Sequence, residues 1–215
     1  MFSVGDDSEM TWVSTTHDWS ASVDMAHLAD VQRRSAELAA HGALHLVLEV
    51  LAYAAEEAVE RGHGDCQVTL HADGSVTIAD DGRGTETRVD DQGRVVRKPV
   101  MSSEDLRVFA DPHAPLLPDG LPRRGISVVA ALSDWLVHLN RRQNGAWTQR
   151  YERGVPVTDL VPVDPDGTTG TTVTFLPAPL VRPTLEHLTS SEIPMMKDWP
   201  SLTVTVVDGR LAGSR

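Results

Sequence analysis

The stretch Ile78-Ala79-Asp80-Asp81-Gly82-Arg83-Gly84 decides how this chain reads. Val76 and Ile78 alternate with polar neighbours on the way in, the period-two pattern of a half-buried strand. Two carboxylates and two glycines then break the pattern. Glycine tolerates positive φ and lets a ligand or another backbone come close. A carboxylate at such a strand end, set among apolar neighbours, makes a specific acceptor for a flat heterocycle. Asp-Asp-Gly is equally a common hairpin turn, and these seven residues alone allow either reading.

Upstream, Cys66, Val68 and Leu70 alternate into the turn Ala72-Asp73-Gly74. Residues 66–78 therefore form a hairpin that delivers the acidic turn. Before it, Leu44, Val47, Leu48, Leu51, Ala55 and Ala58 make the apolar stripe of a helix from about Leu44 to Glu60, ended by Arg61-Gly62-His63-Gly64. Met25, Leu28, Val31 and Leu38 mark an earlier helix from Asp24, broken at His41-Gly42. Residues 1–22 read as an N-terminal arm, with Trp12 and Trp19 to pin it to a surface or a second subunit, and 23–215 as one domain.

Downstream, residues 85–100 are polar apart from Val95-Val96, and Ser103-Glu104-Asp105 starts a short helix with acids in its first turn. Residues 111–124 form a loop carrying Pro112, Pro115, Pro118 and Pro122, long enough to suggest a function. Gly125 opens an apolar helix through Leu132, and Trp135, Val137 and Leu139 alternate into a strand. Asn144-Gly145 is a hairpin turn, returning through Trp147 to Tyr151. Strands follow at Val173–Phe175 and Leu202–Val206, with a short helix at Leu185–Leu188 between them. The fold class is α+β: helices layered on one face of a mixed, mainly antiparallel sheet.

Composition narrows the function. A chain of 215 residues is enough for one good-sized domain. A net charge of −12 repels phosphate backbones, so direct binding of DNA or RNA by this domain is disfavoured. With a single cysteine, Cys66, no internal disulfide is possible, and its place in a strand pattern marks it as a buried structural thiol. No apolar run reaches spanning length, and Met1–Ser20 lacks the basic start and apolar middle of a signal peptide. The expectation is a cytoplasmic protein with no membrane partner. The nine histidines show no metal-ligand spacing, no Gly-x-Ser-x-Gly elbow occurs, and the run Gly120–Gly125 lacks the lysine of a Walker loop. Trp135 and Trp147 read as core or cross-strand packing rather than a base-stacking platform.

Glu49 lies on or beside the stripe of the second helix. It is either a flank residue reaching water or a partly buried acid suited to activating a water molecule.

Taken together, Leu44-His45-Leu46-Val47-Leu48-Glu49-Val50-Leu51, Glu56-Glu57-Ala58, the hairpin, and Asp80-Asp81-Gly82-Arg83-Gly84 resemble the ATPase domain of the DNA gyrase B and topoisomerase IV B subunits, with its GHKL (Bergerat) ATP-binding fold. Gly125 to Ser133, Tyr151 to Pro156 and Thr169-Gly170-Thr171 extend the resemblance, as do residues 28–34, so that it covers roughly 25–210. The resemblance implies ATP as ligand. Asp80 is implied to accept from the adenine amino group, and Thr171 to complete that contact with a water. Glu49 is implied as the general base, Gly82 and Gly84 as the turn under the nucleotide, and Gly120 and Gly125 as the ends of the phosphate loop. It also implies a partner, a homodimer mate or a gyrase-like subunit, reached through the arm 1–22. The family's transducer and DNA-cleavage domains would lie beyond Arg215, so this chain alone is not expected to pass DNA strands.

Departures from the family pattern concentrate at the phosphate end. Tyr53 stands where the family carries a magnesium-binding asparagine, Ala52 where an acid precedes it, and Glu86 where a proline closes the first glycine motif. Magnesium demands oxygen ligands in tight octahedral geometry, and a phenol is a poor substitute. The glycine-rich phosphate loop is here Gly120-Leu121-Pro122-Arg123-Arg124-Gly125. Either Arg123 and Arg124 neutralise a polyphosphate directly, or their bulk and Tyr53 close that end. The expectation is weak or altered nucleotide binding, with slow or no hydrolysis, or else a degenerate sensing or partner-binding module.

Overall fold

The structure, a computed structural model, describes residues 23–85, 88–89, 95–96, 99–182 and 193–210. The arm 1–22, Glu86 and the helix expected at Leu185–Leu188 lie outside the described residues.

Helix α3 (Ala43–Arg61) is the axle of the fold. Its first ten residues, Ala43 to Ala52, are all buried, so this half is enclosed on every side rather than amphipathic. It packs on the sheet strands β1 (Gly64–Leu70), β2 (Val76–Asp80) and β10 (Leu202–Asp208), and on helix α4 (Ile126–Ala131). Leu46, Leu48 and Leu51 are fully buried, and each contributes about 1.5–3 kcal/mol on leaving water. Arg61 sits in the last turn and Gly62 closes the helix at φ 85°, a left-handed C-cap. The expected boundaries, about Leu44 to Glu60, differ by one residue at each end.

The first helix is two. Helix α1 (Met25–Arg33), capped by the Asp24 carboxylate accepting from the His27 N–H at 2.9 Å, gives way at Arg34 to the single turn α2 (Ser35–Leu38). Ser103-Glu104-Asp105 starts no helix; a 3₁₀ turn at Pro99–Met101 precedes it instead. Asp105 is fully buried and its carboxylate is taken by Arg107 and Tyr53, partners stronger than a helix N-terminus.

Eight strands of the described residues make one sheet in the order β10-β1-β2-β9-β5-β6-β7, with β8 (Val161–Val163) also pairing β6. Here β5 is Ser133–Arg142, β6 Gly145–Glu152, β7 Val155–Pro156 and β9 Gly170–Pro177. Every pairing is antiparallel except β1 with β10, so the sheet is mixed and mainly antiparallel, as expected. A small ladder of β3 (Arg88–Val89) and β4 (Val95–Val96) stands apart. Phe175 and Leu136, both fully buried, anchor the sheet's inner face, and Cys66 is buried as expected. Trp135 lies under the Arg150 guanidinium, 5.1 Å from ring centre to charge. Among the described residues no helix is long and apolar enough to cross a membrane.

Register positions the site. Ile78 faces Val173 and Ala79 faces Thr172 across β2 and β9, which carries Asp80 to the level of Thr171. The two strands close up there. A Cβ on Gly170 would stand 2.0 Å from the Asp80 carbonyl oxygen, so only glycine fits.

Candidate functional site

Between α3 and the sheet lies a cavity of about 240 Å³. Val50, Ala54, Ile78, Val173, Met101 and Ile126 make its apolar walls; Asp80, Thr171, His138, Glu56, Glu57, Tyr53 and Arg107 supply its polar ones. Sheet register brings Asp80 and Thr171 to this cavity together, and Gly84 is part of its rim.

Asp80 is held as a fixed acceptor. Its Oδ1 accepts from the Gly82 N–H at 2.8 Å and the Thr171 N–H at 3.2 Å, while Oδ2 accepts no hydrogen bond from the described residues. Burial pushes the Asp80 carboxyl up from its ordinary value, and those two N–H groups pull against it. Gly82 serves this arrangement: a Cβ there would lie 2.7 Å from Asp80 Oδ1 and 2.8 Å from Glu57 Cγ. Gly84, at φ 76°, passes so close to Arg141 that a Cβ would stand 2.4 Å from its carbonyl oxygen.

The second acid of the motif has a different job. Asp81 Oδ1 accepts from the Asp65 N–H at 2.9 Å, and its carbonyl oxygen from Arg61 at 2.8 Å. It ties the hairpin to the end of α3 and is half exposed. Asp81→Ala is expected to cost about 1 kcal/mol in chemical denaturation and to leave the cavity's chemistry unchanged; a titration showing lost binding in this variant would count against that division of labour.

Glu49 is fully buried and does not line the cavity. Its Oε1 accepts from the Arg124 N–H, and its Oε2 from the Gly125 N–H at 2.9 Å, so the carboxylate seals the entry to α4. One turn earlier on the same face, His45 is also fully buried. Its Nε2 stands 3.4 Å from Glu49 Oε1, a charge contact too long and oblique for a good hydrogen bond, and its Nδ1 is 2.8 Å from Asp119 Oδ2. Burial by itself would lower the imidazole; the Asp119 and Glu49 carboxylates outweigh it and carry the pKa to about 9. For Asp119, burial pushes upward, and the His45 imidazolium more than reverses it. The cluster is carboxylate, imidazolium, carboxylate.

Tyr53 forms the end wall. Its hydroxyl donates to Asp105 Oδ2 at 2.8 Å and accepts from the Ile126 N–H at 3.2 Å. Burial, then the Asp105 charge, raises its pKa, so it stays a phenol. Arg123 is buried, lies 4.4 Å over the Tyr53 ring and forks onto Glu56. Arg107 forks onto Asp105 and reaches Glu56. The Arg124 guanidinium donates to the Phe109 carbonyl at 2.8 Å. Gly120 turns at φ 79° on the exposed tip of the loop, far from any Cβ obstacle, whereas a Cβ on Gly125 would lie 2.8 Å from Asp105 Cβ.

The structure thus gathers Asp80, Thr171 and Gly84 around the cavity, with Gly82 behind Asp80, and sets Glu49, Arg123, Arg124, Gly125 and Gly120 in or against the closed loop. Sequence reasoning misses His45, Asp119, Arg107, Glu56 and Asp105 as parts of the site. His45 carries a signal, since it lies four residues before Glu49 in an apolar helix. Asp119 carries none, because a loop brings it across from 74 residues away.

These features define an α+β domain with a small, mostly apolar hole between its central helix and its sheet, and a fixed carboxylate in the wall. Comparison with known proteins gives the kinship: 37% identity to the B subunit of DNA gyrase from Caulobacter vibrioides over 165 residues, 68% of this chain and 20% of that protein. The gyrase B subunit of Thermotoga maritima is 37% identical over 142 residues, 65% of the chain and 22% of the relative. The B subunit of DNA topoisomerase 4 from Staphylococcus epidermidis is 36% identical over 138 residues, 63% and 21% respectively. No protein-family model matches the chain. The matches span about a fifth of the length of these relatives. Over some two thirds of its own length, then, the chain is similar to the B subunits of DNA gyrase and topoisomerase IV, consistent with a gyrase-B-like ATPase domain.

Proposed function

We propose that this chain is a gyrase-B-like domain that binds the adenine end of a nucleotide or nucleoside and does not turn over ATP through Glu49. One observation carries the reading: Asp80, with Oδ1 accepting from two backbone N–H groups and Oδ2 accepting from none of the described residues, on the wall of a cavity next to Thr171. An adenine ring offers a donor amino group to such an acceptor and buries its faces against Ile78 and Val173. A charge-assisted hydrogen bond of this kind is worth about 1.5–3 kcal/mol. The kinship with gyrase and topoisomerase IV B subunits supports ATP or a relative of it as the ligand class.

Hydrolysis is a separate matter. A general base must reach the water it activates, and both oxygens of Glu49 are occupied by the backbone at the start of α4. Nor do the residues fit magnesium. The Tyr53 hydroxyl is engaged by Asp105 and Ile126, and a phenol so placed is a poor oxygen ligand for that ion. The same enclosure of Glu49 favours sensing or partner binding over catalysis as the biological output. The partner would be a homodimer mate or a gyrase-like subunit met through residues 1–22, in the cytoplasm.

Calorimetric titration of the full chain with adenine compounds is the test. Binding is expected for the parent, and Asp80→Asn is expected to weaken it by roughly 10- to 100-fold, with ATP turnover at background in both. Heat of equal size and affinity in the two proteins would remove Asp80 from the site.

A further inference from the structure

We infer that the cavity selects a purine nucleoside or free purine over a nucleoside polyphosphate. The inference rests on the adenine reading at Asp80 and extends it to the other end of the ligand.

A polyphosphate needs donors, and the described donors at this end are engaged apart from the buried Nε–H of Arg123. The loop amides can be counted one by one. Gly120 donates to the Leu117 carbonyl, Leu121 to Asp119 Oδ1, and Arg123 to the Pro115 carbonyl, while Pro122 has no N–H. Arg124 and Gly125 donate to Glu49, and Ile126 to Tyr53 Oη. Every N–H from 120 to 126 is therefore satisfied within the protein. Where a phosphate-binding loop offers its amides to a ligand anion, this one has turned them onto its own carbonyls, two carboxylates and a phenol.

The guanidinium groups are committed as well. Arg123 forks onto Glu56, Arg107 onto Asp105, Arg83 onto Glu57 and Glu60, and Arg124 donates to backbone carbonyls. Each is a charge-assisted contact that a phosphate would have to break before making its own. Among the described residues of the cavity wall, Glu56, Glu57 and Asp80 set three carboxylates against the guanidinium of Arg107. A ligand tail of several negative charges meets like charge there, and a neutral ligand does not. Size agrees: about 240 Å³ lies below the ~300–1,000 Å³ of pockets that hold larger ligands.

The experiment is a calorimetric series on the full chain with adenosine, AMP, ADP and ATP, each with and without Mg²⁺. Adenosine is expected to bind at least tenfold tighter than ATP, with affinity falling at each added phosphate and Mg²⁺ leaving the adenosine value unchanged. ATP binding as tightly as adenosine, or tighter, overturns the inference while the Asp80 reading stands. No heat from any of the four, or heat indifferent to Asp80→Asn, overturns the reading beneath it and the inference with it. Glu56→Gln provides a second check, because it loosens Arg123 and Arg107 from their partner. ATP affinity is expected to rise severalfold in that variant with adenosine unmoved; unchanged ATP affinity would show that donor commitment is not what excludes phosphate.

Discussion

Glu49→Ala is expected to destabilise the protein strongly, by roughly 3–5 kcal/mol, the usual consequence of removing one member of a buried charged set. In a domain of this size that corresponds to a melting temperature lower by roughly 6–20 °C. The reason is what the carboxylate holds. Removing it leaves the Arg124 and Gly125 N–H groups without acceptors in a fully buried site, and leaves the His45 imidazolium with Asp119 as its one strong counter-charge. Glu49→Gln is expected to fall between parent and alanine variant, since one amide oxygen can still accept while its NH₂ faces a donor. A water-activating base would behave differently, because such residues are commonly neutral or costly to stability when present. Scanning calorimetry of the three proteins decides the matter: an alanine variant that melts with the parent would show that Glu49 carries no structural duty.

The second large effect is on the alkaline side of the pH–stability curve. His45 has its pKa raised to about 9 in the folded protein against 6.5 for an ordinary imidazole. A group whose folded pKa is raised contributes its stability fully below the unfolded value, and that contribution is lost as pH climbs through the folded value. Stability is therefore expected to decline by something on the order of 3 kcal/mol between about pH 6.5 and 9. His27 shifts the other way, lowered mainly by burial, so its influence falls below pH 6.5 and does not overlap. Cys66, raised to about 12 by burial, adds its own decline from about pH 9 upward, so the His45 contribution is the part of the slope that His45→Gln removes below pH 9. Urea denaturation at half-unit intervals from pH 6 to 10 measures the slope, and His45→Gln is expected to flatten it. A parent protein equally stable at pH 6.5 and 9.5 would mean that the imidazole is neutral throughout.

The meeting of Asp80 and Thr171 at the cavity was legible in the sequence because it is built from local signals. Alternation marks β2, glycine marks the turn that releases Asp80, and the register of a regular ladder then brings Thr171 alongside. The helix α3 was legible for the same reason: a 3.6-residue period does not need its neighbours to be known. The other end was not legible. Whether Glu49 faces a void or a loop depends on where residues 111–125 lie, and proline and glycine spacing do not fix the path of a loop. Whether Arg123 and Arg124 offer their charge to a polyphosphate or close that end was open in the sequence, because their acceptors, Glu56 and two carbonyl oxygens, come from other parts of the chain. Asp105 misled in the same way: its sequence neighbours favour a helix start, while Arg107 and Tyr53 claim it in three dimensions.

One consequence reaches past this pocket. In a loop that wraps a visiting anion, shape reports occupancy, and whatever touches the loop can tell loaded from empty. Here the chain provides the anion itself, through the side chain of Glu49. The loop is thus held by an acid of the same chain, and its shape in this structure speaks of the protein's own packing rather than of a bound anion.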